Sequence, residues 1–133
     1  MAVKKTSKIP TARSKNTQTS KGMKDLEKKI GKVPVFFQEL MKTQPDMHGA
    51  ILAFDQHIWD DGALSRKTKK ILAISIAAAL RDQHAVQAQL AGAKRLGVTS
   101  EEIEEALRVT FLLSGMPAYV YGRAAMEKIM GKE

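Results

Sequence analysis

Ser65–Arg81, SRKTKKILAISIAAALR, is the stretch on which the fold turns. After a basic opening it runs Ile71, Leu72, Ala73, Ile74, Ile76, Ala77, Ala78, Ala79, Leu80 with a single Ser. That is too apolar on every side for a surface helix and far too short to span a membrane. It reads as the central helix of an all-α domain, packed against several neighbours that its alanines allow to approach closely. Ser65 is placed to cap it. The opening runs against the usual rule. Arg66, Lys67, Lys69 and Lys70 crowd the first turns, where the helix macrodipole already favours anions. Something negative is expected beside them, either Asp60 and Asp61 just upstream or a bound anion.

Working outward, the chain reads as helices separated by explicit breaks. Lys24–Ile30 is a short helix stopped by Gly31. Pro34 opens a second, with Val35, Phe36, Phe37, Leu40 and Met41 at helical spacing. Thr43-Gln44-Pro45 separates it from a third helix, from Pro45 to Trp59, which Asp60-Asp61-Gly62 ends. Beyond the central helix, His84–Leu96 is helical and Gly97 suits its C′ position. Thr99 followed by Glu102 forms a capping box, with further acids in the first turns to complement the dipole. Ser114-Gly115-Met116-Pro117 breaks that helix and starts the last one. No stretch alternates with a β-period, and aromatics are few while Ala and Met are common, a composition suited to helix packing.

The net charge of +8 is unevenly placed. Residues 1–22 hold six cations and no acid, leaving sixteen Lys and Arg against fourteen Asp and Glu in the rest. Low in apolar residues, this segment is expected to be a disordered basic tail in front of one helical domain at 23–133. It offers nucleic-acid association through electrostatics, though no aromatic interleaves its cations for base stacking. There is no cysteine, so this chain cannot supply a disulfide, a thiolate metal site or a thiol nucleophile. No secretory signal or spanning segment is apparent, and a cytoplasmic location without membrane association is expected. His57 and Asp61 share a helix face, but with His48 more than two turns away and no third good ligand, no metal is expected.

The order of the pieces carries a resemblance. Gly-Ala-Leu-Ser precedes the Lys-Thr-Lys-Lys-Ile-Leu-Ala-Ile helix, then come Ala-Lys-Arg-Leu-Gly, Val-Thr-Ser-Glu-Glu-Ile-Glu-Glu-Ala-Leu and a Ser-Gly-Met-Pro-Ala turn. Over residues 45–129 this resembles the carboxymuconolactone decarboxylase and AhpD-like family. The resemblance implies an all-α domain, a homo-oligomer (trimer or hexamer) and a site near subunit interfaces. Redox members carry a Cys-x-x-Cys pair and a His on the helix that here ends at Gly97; the matching positions hold Asp82, Ala85 and Gln89. The family's acid at the start of the central helix is matched by Lys70. Thiol peroxidase or disulfide chemistry therefore does not carry over.

What remains in the positions of the family's pocket is Lys70, His84 and Gln89. These suggest a site for a small carboxylate or lactone, with decarboxylation or proton transfer as the chemistry and no cofactor. Lys70 would bind or polarise the acid, its pKa lowered by burial. His84 would serve as acid or base, and Gln89 would bond a carbonyl or lactone oxygen. The competing expectation leaves Lys70 in water beside Asp60 or Asp61 and His84 as an ordinary helix-start residue, giving a non-catalytic small-acid-binding or oligomeric interaction module. Trp59 either walls the pocket or belongs to core or interface, and Arg123 on the last helix is placed to meet a carboxylate.

Overall fold

The computed structural model describes the backbone of residues 12–131 and the side chains of residues 20–131. Seven helices make up the described residues: α1 Ala12–Ile30, α2 Val35–Thr43, α3 Pro45–Ile58, α4 Arg66–Leu80, α5 Gln83–Arg95, α6 Ser100–Ser114 and α7 Met116–Met130. They form two layers. Helices α4 to α7 pack around Ile74, Ala78, Val86, Leu90, Ile103 and Leu107, with Met126 from the last helix. Helices α1 to α3 enclose a smaller cluster of Leu26, Ile30, Val33, Phe37 and Leu52. The end of α1 rests on α4 and α5 and joins the layers.

The expected punctuation is present. Ser65 Oγ accepts from the Thr68 amide, and Thr99 and Glu102 form the reciprocal capping box. Gly31 and Gly97 take the left-handed conformation that ends a helix. One tight turn needed the structure. Arg81 adopts φ 54°, and Asp82 donates its amide to Ala77 O. Asp82 Oδ1 then accepts from the Ala85 amide and caps α5. Of the positions matched to the family's cysteines, the first therefore holds a helix cap.

Two expectations change. Residues 12–22 fall within the expected disordered tail, yet α1 begins at Ala12. Gly22 lies against Leu52, and its carbonyl oxygen accepts from Gln56 Nε2 at 3.0 Å. Met23, Leu26 and Ile30 join the smaller cluster. Once that docking has nucleated the helix, extending it backward adds one hydrogen bond per residue fixed, even through a polar sequence. Residues 1–11, and the side chains through residue 19 on which nucleic-acid association would depend, lie outside the described residues. The second change concerns α4, which is not covered all round. Leu72, Ile76 and Leu80, four apart, form an open row at 46%, 59% and 73% exposure. No described helix is long and apolar enough to cross a membrane.

Candidate functional site

The cations at the start of α4 find their negative partners in the end of α3. A helix C-terminus leaves carbonyl oxygens without intrahelical donors. Lys69 Nζ donates to two of these end carbonyls, Ile58 O at 2.8 Å and Asp60 O, while Arg66 Nε donates to Trp59 O at 3.1 Å. Asp61 accepts from the Arg66 amide, and Lys67 pairs with Glu102 at 3.1 Å. Three of the four cations thus hold α4 to its surroundings, and internal partners account for them.

The fourth, Lys70, turns inward. It is 1% exposed, among the largest fully buried side chains of the molecule. Its Nζ donates to Gln89 Oε1 at 2.8 Å and lies 4.0 Å from the centre of the Trp59 ring. A buried ammonium needs an opposite charge, yet none of the described carboxylates forms a salt bridge with it. Asp55 acts on it from further away, one turn before Trp59 on α3. Burial lowers the Lys70 pKa from 10.5 to about 8, with the Asp55 charge opposing. Burial raises the Asp55 pKa, with the Lys70 charge opposing. The two shifts bring an acid and a base closer together in pKa within one seam.

Gly92, one turn below Gln89 on α5, closes the far side. A Cβ there would collide with the Ile30 carbonyl and sit 3.1 Å from Lys70 Nζ. Glycine therefore lets the end of α1, the face of α5 and the lysine head meet.

The structure joins Lys70 and Gln89 but leaves His84 apart from them. His84 is exposed in the first turn of α5. Five residues along a helix is a turn of about 140° and a rise of about 7.5 Å, so His84 and Gln89 occupy different faces. Trp59 walls the lysine, and it is Lys69, not Lys70, that takes the outward place beside Asp60. Asp55 is the residue missed. Its signal was available, since Asp55 on α3 and Trp59, the residue that caps α3, stand at i and i+4 and so share a face. Arg123 does meet a carboxylate, an internal one: Glu104 accepts from Arg123 and from the Tyr119 hydroxyl, each at 2.7 Å, and ties α6 to α7.

A helical two-layer fold with this seam at the α4–α5 junction can be set against known proteins. The sequence model of the carboxymuconolactone decarboxylase family matches residues 45–128. The chain belongs to the carboxymuconolactone decarboxylase family. It is 39% identical over 100 residues to protein MJ0742 of Methanocaldococcus jannaschii, covering 71% of this chain and 96% of that one. It is 28% identical over 88 residues to protein 4 of the cox locus of Paracoccus denitrificans, covering 66% and 79% respectively. Two crystal structures share the fold. A carboxymuconolactone decarboxylase candidate from Burkholderia xenovorans superposes with a TM-score of 0.73 at 18% identity, covering 87% of this chain and 91% of that one. A member of the family from Legionella pneumophila, in its apo form, gives 0.67 at 24%, covering 86% and 98%. At those identities the likeness extends to the fold alone. Within this family the chain is a cysteine-free member.

Proposed function

We propose that this member of the carboxymuconolactone decarboxylase family binds a small carboxylate or lactone at Lys70 and acts on it by decarboxylation or proton transfer, without thiol redox chemistry. The observation that supports this reading is a fully buried ammonium with an amide, an indole face and a distant acid around it, but no paired carboxylate among the described residues. A ligand carboxylate supplies the missing charge. Gln89 holds the ammonium in place, Trp59 covers it, and Asp55 carries the proton. His84, which falls between the positions matched to the family's two cysteines and lies on another face of α5, serves only if a second subunit brings it near.

Midpoints of thermal unfolding, recorded with small mono- and dicarboxylic acids and lactones, test the reading. A ligand that binds only the folded state raises the midpoint once its concentration passes the dissociation constant. One acid class should raise it in the wild type and leave Lys70→Met and Lys70→Glu unmoved. If both variants respond like the wild type, the site lies elsewhere.

A second reading is supported by the open apolar surface. Besides the α4 row, Leu112, Leu113 and Met116 are exposed at 78%, 79% and 61%. Exposed large apolar side chains of this kind are the material of contacts with another protein surface. It fits the homo-oligomer implied by the family resemblance, in which the protein serves as an oligomeric interaction module. Light scattering of Ile76→Glu, a charge placed in the middle of the α4 row, is the direct check: a fall in mass to that of one chain supports it, and an unchanged mass removes it.

A further inference from the structure

A lysine head that is enclosed, desolvated and held by a neutral amide is a nucleophile as much as a cation. From the juxtaposition of Lys70 Nζ, Gln89 Oε1, the Trp59 ring and Asp55 at the α3–α4–α5 seam, we infer that Lys70 forms an imine with a small 3-oxo acid and that the imine drives loss of carbon dioxide. This rests on the Lys70 site reading above and names its substrate class.

The geometry bears on each step. Gln89 Oε1 accepts one Nζ proton at 2.8 Å and fixes the amine. The Trp59 ring, 4.0 Å away and only partly buried itself, covers Nζ and has to swing aside for a substrate to reach it, while Gly92 packs against the end of α1 beside the lysine head. With a pKa of about 8, Lys70 is roughly two hundredfold richer in free amine at pH 7.5 than an ordinary lysine.

The chemistry balances without a cofactor. The Nζ lone pair attacks the ketone carbon, the N–C bond forms, and the carbonyl oxygen leaves as water after taking up two protons. The protonated imine is an electron sink two bonds from the carboxylate. The bond between the carboxylate carbon and its neighbour breaks, its electron pair moves toward the imine nitrogen, and carbon dioxide departs. The resulting enamine carbon takes a proton, which Asp55, the carboxyl group whose charge reaches Lys70, relays from water. Water then hydrolyses the imine and returns the amine and a ketone. A 3-oxo acid is specified because an imine alone provides its sink; a 2-oxo acid would leave the electron pair on the imine carbon itself.

The test is borohydride trapping on the full chain, with acetoacetate as the probe, followed by peptide mapping. Lys70 should carry at least about tenfold more reduced adduct than the exposed lysines at pH 7.5, and Lys70→Arg should lose that adduct. Adduct spread evenly over the lysines, or absent from Lys70, overturns the inference even if Lys70→Arg fails to fold, because the mapping uses the wild type. Thermal shifts with 3-hydroxybutyrate, which has the carboxylate but no ketone, separate the two readings. Stabilisation by 3-hydroxybutyrate without trapping overturns the imine and keeps the small-acid site; neither effect overturns both.

Discussion

Among the described residues two bases are buried, Lys70 and His48, and their surroundings differ in kind. Lys70, in the seam between the layers, has an amide oxygen, an aromatic face and a carboxylate in reach of its field. His48, in the α1–α3 layer, is equally inaccessible. Its ring stacks on Phe37 with centroids 4.3 Å apart, and its Nε2 lies 3.2 Å from Met23 Sδ. Its Nδ1 has no partner among the described residues. Burial lowers the His48 pKa. The histidine therefore sits as a stacked ring in an apolar layer, whereas an amide oxygen and an indole face converge on the lysine. Burial alone does not mark a candidate site; polar groups converging on a buried base do.

The largest effect that would sharpen this contrast lies in alkaline solution. Lys70 has a folded pKa of about 8 against an ordinary 10.5. Below pH 8 both folded and unfolded chains are protonated, and the folded state bears the full cost of the buried charge. Between pH 8 and 10.5 the folded amine is neutral while the unfolded one still binds its proton, so stability rises with pH. The gain from this group is about 3 kcal/mol. Urea denaturation from about pH 7 to 10.5 should show the rise, and Lys70→Met should abolish it while raising stability at neutral pH by about 1–3 kcal/mol. A Lys70→Met variant destabilised at neutral pH would make the lysine a structural residue and erase the contrast.

On the other side of the comparison, His48 should act at acid pH. Because its folded pKa lies below the ordinary 6.5, its contribution is complete above 6.5 and is lost as pH falls through the folded value. Replacing it by Leu should flatten the loss of stability as pH falls below about 6.5, read from the same denaturation curves. A slope unchanged in His48→Leu would assign the acid sensitivity to other groups. The smallest effect serves as the yardstick. Thr99→Ala removes the cap of α6, away from both bases, and should cost about 1 kcal/mol with no pH dependence across the alkaline range.

The helical plan was legible because its signals are local. Ser65, Gly31, Gly97 and the Thr99–Glu102 box each act within one turn of chain, so their readings do not depend on distant residues. The start of α1 was not legible, since the contacts that fix it come from Leu52 and Gln56, about thirty residues on. In the site, Lys70 and Gln89 were reached through the family resemblance. Asp55 was missed because it lies outside the quoted motifs, and His84 was included because a sequence position does not state which side of α5 it faces.

The sequence by itself determined an all-α chain with a basic beginning, its helix ends, and the absence of thiol chemistry, because propensity, capping and residue identity are properties of short segments. Only the tertiary structure decided which of four neighbouring cations goes inside. Arg66 and Lys69 reach the carbonyls at the end of α3 and Lys67 reaches Glu102, while one further residue around the helix points Lys70 into the seam. That choice depends on where α3 and α5 lie around α4, and the packing of distant segments sets it.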